Sequence, residues 1–85
     1  MRITYFVVQP FERTEKGRLR VMDAVEAQSS EAAIRTARAR ASRGGAVAFA
    51  KSGDPDTGDF DDAVILGQFG DVPDLADVAD VRASA

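Results

Sequence analysis

The sequence predicts a small α+β domain, four strands and one helix in ββαββ order, and three observations carry that prediction. Residues 29–45 hold one long helical signal whose start, period and stop agree. Segments rich in β-branched and aromatic residues flank it on both sides, as strands require. The length of 85 residues leaves room for one domain,. The expected architecture is a single-layer, mainly antiparallel sheet with the helix packed on one face.

The helix is the clearest element. Ser29 or Ser30 supplies an N-cap oxygen for an unpaired backbone N–H of the first turn. Glu31 follows at the positive end of the helix dipole, and Arg40 and Arg43 stand at its negative end. Ala32, Ala33, Ile34, Ala37 and Ala41 form an apolar stripe at helical spacing,. Gly44 is then expected as a left-handed C′ residue. An alanine stripe lies close to a sheet but buries little area, so the bulk of the core must come from the strands.

Residues 3–11 (ITYFVVQPF) read as the first strand,. Both of its faces are apolar near the middle, which places it centrally or under a second cover. Pro10 lacks an N–H, so the strand is expected to end or meet an edge there. Residues 12–17 form a hairpin loop. Residues 19–27 return, with Leu19, Val21 and Val25 on one face, Arg20 and Glu26 on the other, and Asp23 marking a bulge,. Residues 46–51 (AVAFAK) give a third strand. Residues 52–62 form a loop with Gly53, Pro55 and Gly58, and residues 63–69 (AVILGQF) give a fourth strand, apolar on both faces.

The domain is expected to span residues 1–70, followed by an acidic C-terminal segment, residues 71–85. There Asp71, Asp74, Asp77 and Asp80 alternate with Val72, Leu75, Val78 and Val81 at period three. A short amphipathic helix and a frayed tail both fit that pattern.

Composition removes several chemistries. Without Cys there are no disulfides, thiolate metal sites or thiol nucleophiles, and without His the commonest general base is missing,. No catalytic motif is present, no cofactor is expected, and a non-enzymatic role follows. No stretch approaches the roughly 20 apolar residues of a membrane span. The N-terminus lacks signal-peptide organisation, so a cytoplasmic location is expected. Fifteen alanines, many Arg and Asp, two Lys and no Asn fit a GC-rich bacterial genome.

Charge is unevenly distributed. Residues 1–51 carry ten Lys/Arg and five Asp/Glu, a net +5, whereas residues 52–85 set Arg82 alone against nine Asp, a net −8. Two candidate sites follow. Asp54, Asp56, Asp59 and Asp61 lie in a loop rich in carboxylates, the oxygen ligands that hard cations take. The loop departs from an EF-hand, because Gly58 and Asp59 are exchanged and position twelve is Ile65. A solvated hairpin loop explains it more simply. Arg35, Arg38, Arg40 and Arg43 flank the helical stripe, with Arg18 and Arg20 on the second strand. Guanidinium groups suit phosphate, yet the acidic second half opposes a polyanion. Arginines beside an apolar stripe also cover its margins with their stems.

The leading expectation is a small protein-interaction or regulatory domain, self-associating into a homo-oligomer because its core is small and its charge divided. A nucleic-acid-binding regulator using the arginine face is the alternative. Divalent-cation binding by the acidic loop comes third.

Overall fold

The computed structural model of the protein describes residues 1–73. The elements run β1 (Ile3–Arg13), β2 (Leu19–Val21), β3 (Val25–Ala27), α1 (Ser30–Arg40), a 3₁₀ turn (Ala41–Arg43), β4 (Gly44–Asp54), β5 (Asp59–Phe60) and β6 (Val64–Gly70). The α+β class holds. The finer expectation is corrected: six strands in β-β-β-α-β-β-β order replace four, and the sheet is strongly curled, a half-barrel carrying one helix.

The two counts are related. β1 and β4 pair antiparallel in unbroken register from Ile3↔Gly53 to Glu12↔Gly44. Each has one further neighbour, and both neighbours are interrupted. β2 and β3 share the free side of β1, while β5 and β6 share the free side of β4. The expected second strand and the expected last loop and strand are thus each cut in two.

The cuts have a defined geometry. Phe11 faces Val21 and Val8 faces Val25, so three residues, 22–24, span the two residues 9–10. One extra residue inverts side-chain parity. Val25 therefore faces the helix with Val8, whereas Leu19 and Val21 face away with Phe11. The expected common face for Leu19, Val21 and Val25 does not exist, and the bulge expected at Asp23 is the reason. A second slip occurs in β6, where Ala48 pairs with Gly67 but Phe49 with Ile65, leaving Leu66 as the extra residue. Extra residues confined to the outer strands bend a sheet, and this one curls.

Pro10 does not end β1, which continues to Arg13. Met22 N donates to the Pro10 carbonyl at 3.0 Å, but proline cannot return the bond,. The Gln9 side chain replaces it: Nε2 donates to the Met22 carbonyl at 2.6 Å. Among the described residues Gln9 is the one polar residue in the core, 4% exposed. A side-chain amide thus supplies the donor that the proline lacks.

The helix starts as expected. Ser29 Oγ accepts from Ala32 N at 3.1 Å, and Glu31 lies in the first turn. Its end differs. Ala41 closes α1, a 3₁₀ turn follows, and Gly44 opens β4 at φ 156° and ψ −85° rather than sitting in the left-handed helical region. A Cβ there would lie 2.4 Å from the Phe11 carbonyl oxygen, so glycine serves the close approach of β4 to β1.

Two apolar layers result. Against the helix, Ala33 and Ala37 meet Val8, Ala46 and Ala48, with Phe6, Ile34, Leu66 and Phe69 at the margin. Alanine on both surfaces lets helix and sheet approach closely. On the helix-free face, Phe11, Val47 and Phe49 form a second cluster with Val7, Leu19 and Val72 around it. Asp71 N donates to Gly44 O at 2.7 Å, which brings Val72 onto that face. The helix-or-tail expectation for residues 71–85 lies outside the described residues from position 74 onward.

Candidate functional site

The two outer edges of the sheet are built differently. The β2/β3 edge consists of two three-residue segments and carries Arg20, Asp23 and Glu26. Short, broken, charged edges are how soluble sheets avoid pairing with other chains. The β6 edge is seven residues long and, with Ala63 before it, reads AVILGQFG without one charge. Among the described residues β6 pairs with β4 alone. Val64 is 61% exposed and Ile65 39% exposed. Val64 pairs with Ala50 and Ile65 with Phe49, so the two lie on opposite faces of the sheet. An apolar side chain therefore stands on either side of the open hydrogen-bonding edge.

Charge is organised along the strands. β1 and β4 are eleven residues each and run antiparallel, so their far ends lie about 33 Å apart. At one end Asp54, Asp56, Asp59, Asp61 and Asp62 gather in the β4–β5 turn and the segment after it. At the other stand Arg13, Lys16, Arg18 and Arg20 of the β1–β2 hairpin and Arg43 at the end of the helical segment, in excess over Glu12, Glu15 and Asp71 at the same end. The molecule measures 44 × 26 × 17 Å. It is an elongated body with an acidic and a basic pole.

The four acids singled out as cation ligands are not brought to one point. Asp54 organises its own turn: Oδ1 accepts from Asp56 N at 2.9 Å, and its carbonyl accepts from Gly58 N at 2.8 Å. Gly58 takes φ 81°, as the end of such a turn requires,. Asp54 also accepts from the N-terminal ammonium at 3.4 Å, with Asp56 3.9 Å from the same group. Asp61 pairs with Arg2. Among the described residues no three carboxylates form a metal-ligand group.

The arginines of the helix do not form one patch either. At 100° per residue, Arg35 and Arg38 are 60° apart, but Arg35 and Arg40 are 140° apart. Arg38 lies over the Phe69 ring, 5.3 Å from its centroid, a cation–π contact at the margin of the core. Among the described residues the ion pairs of the acidic segments run to the N-terminus, Arg2 and Arg13, none to the helix. Arg13 meets Asp71 at 3.1 Å. The acidic loop stands at the pole opposite the helix C-terminus and so does not dock on Arg40 or Arg43 of its own chain.

Residues that the sequence reading left in the background are thus the prominent ones. Val64 and Ile65 are visible there only as part of a strand apolar on both faces. The missing charge from position 63 to 70 is the available signal, and it becomes meaningful once that strand is known to be an edge. Among the described residues no helix is long and apolar enough to cross a membrane. Comparison of the chain with protein-family models, with curated proteins and with solved structures yields no match.

Proposed function

We propose that the protein is a self-associating interaction domain that dimerises edge to edge through β6. The asymmetry of the two sheet edges carries this reading: one is two charged three-residue segments, the other ends in the seven-residue, uncharged β6 flanked by exposed Val64 and Ile65. Pairing β6 with its copy would satisfy the free backbone groups of both strands and remove these side chains from water.

The poles favour one orientation. β6 runs from the acidic half of the sheet toward the basic end, since Val64 pairs with Ala50 and Gly70 with Gly45. An antiparallel β6–β6 pair sets the acidic pole of each protomer beside the basic pole of the other, whereas a parallel pair sets like poles together. The antiparallel arrangement is a two-fold, self-complementary interface. It also stops at two copies, because the remaining β2/β3 edges are short and charged. A nucleic-acid role has less behind it, as the helix arginines diverge.

Sedimentation equilibrium tests the reading. The natural chain is expected as a dimer, and Val64→Lys with Ile65→Lys as a folded monomer with an unchanged circular dichroism spectrum. A natural chain that remains monomeric at millimolar concentration would overturn it.

A further inference from the structure

We propose that the helix-free face holds a separate binding groove for a small planar aromatic zwitterion whose opposite charges sit at its two ends. The groove has a volume of about 430 Å³ and is lined by Tyr5, Val7, Glu26, Lys51 and Phe60, with Ala24 and Val25 of the neighbouring edge segment at its rim. Register explains its construction. Val7 pairs with Glu26 of β3 on one side, and Tyr5 pairs with Lys51 of β4 on the other. Glu26 and Lys51 thus project from the same face on opposite banks, with β1 as the floor between them.

Their backbones are two strand spacings apart across the sheet and two residues apart along it, about 12 Å, and the two side chains form no ion pair with each other. None of the ion pairs and side-chain hydrogen bonds among the described residues engages Glu26, Lys51 or the Tyr5 hydroxyl. The end wall is aromatic: Phe60 and Tyr5 have ring centroids 6.1 Å apart and planes tilted by 33°. Phe60 is held against Gly53, where a Cβ would come within 2.4 Å of its ring. Its position depends on that glycine.

These groups define the ligand. The rings offer flat π faces and Val7 an aliphatic floor, which suit an aromatic body. Lys51 presents an ammonium to a carboxylate, and Glu26 a carboxylate to an amine, each a charge-assisted hydrogen bond. A neutral ligand covering the groove would strip water from both charges and return nothing. A ligand with one charge would satisfy one bank only. The groove does not use β6, so it is independent of self-association and survives in the monomeric edge variant.

The probe is 4-(aminomethyl)benzoate, with benzoate and benzylamine as its singly charged halves. Tyr5 is the only tyrosine and there is no tryptophan, so intrinsic fluorescence reports from the groove itself, and calorimetry gives an independent readout. The zwitterion is expected to give saturable binding, and each half to bind at least about tenfold more weakly, the effect of one lost charged hydrogen bond. Glu26→Lys and Lys51→Glu, both partly or fully solvent-facing, are expected to weaken binding by roughly tenfold each. The double exchange should restore it, with the ligand reversed. No saturable signal to about 10 mM, equal affinity for the three probes, or a double exchange as weak as the single ones would each overturn the proposal.

Discussion

Gln9 shows how one side chain permits a residue that otherwise would not belong in a sheet interior. Pro10 deprives the Met22 carbonyl of its backbone donor, and Gln9 Nε2 takes that place from a position 4% exposed. Gln9→Leu keeps the volume and removes the donor, leaving a part-buried carbonyl without it. The expected cost is about 1–3 kcal/mol, read as a lower denaturation midpoint with an unchanged slope. A midpoint equal to that of the natural chain would show that solvent serves Met22 instead. Gly45 is a second such position. A Cβ there would stand 2.0 Å from the Asp71 carbonyl oxygen, so Gly45→Ala must push residues 71–72 away. That loosens the packing of Val72 against the cluster of Phe11, Val47 and Phe49 and the Arg13–Asp71 pair. An overpacked site of this kind costs about 1–3 kcal/mol. A high-resolution structure of the variant should show Asp71 displaced, and one with Asp71 in place would count against this account. Neither role is legible in the sequence, because each depends on a partner twelve or more residues away.

Among the elements, the helix is the one most legible in advance. Its cap, first-turn acid and alanine stripe act within a few residues of each other, so local chemistry suffices. Ser29→Ala is expected to cost about 1 kcal/mol through loss of the bond to Ala32 N,, which thermal unfolding would register as a fall of several degrees. No change in melting temperature would mean that water caps the helix equally well. Its end is not legible in the sequence, because Gly44 answers to the neighbouring strand rather than to the helix. The strands were legible as strands but not as edges. The run from 63 to 70 has the composition of a buried strand, and the fold leaves one side of it open. Face assignment along 19–27 failed for a related reason: the extra residue in 22–24 inverts parity, and counting by twos cannot detect it. The candidate acids and arginines were found where expected in the chain, yet the fold directs them apart, Asp61 to Arg2 and Arg38 to Phe69.

At the scale of the whole molecule, the acids of residues 54–62 and the cations of residues 13–20 and 43 stand at opposite ends, while Asp71 joins the basic end beside Arg13. Because β1 and β4 are long and antiparallel, the β1–β2 hairpin and the β4–β5 hairpin point in opposite directions. If opposite poles meet across an antiparallel dimer, salt should loosen it. The dissociation constant is expected to rise several-fold between about 0.05 and 0.5 M NaCl, where the screening length falls from well above to below ~5 Å. A constant that does not move would remove the electrostatic argument for the orientation while leaving edge pairing to be tested by Val64→Lys. Orientation has its own measurement, since the chain has no native cysteine to confuse labelling. Spin labels at Thr57→Cys should be separated by about the 44 Å long axis of the protomer or more, and a short distance would indicate parallel pairing.

Sequence alone determined the class of this protein, the helix that begins after Ser29, the positions of most strand residues, and the excess of acid in its second half. Those properties are set by neighbours in the chain: capping, periodicity, β-branched content and simple charge count. Tertiary structure decided which strands are central and which are edges, where parity inverts, which carboxylates find cations, and that acid and base collect at opposite ends. These depend on register between segments forty or more residues apart, and a single extra residue in an outer strand changes which side chains share a face.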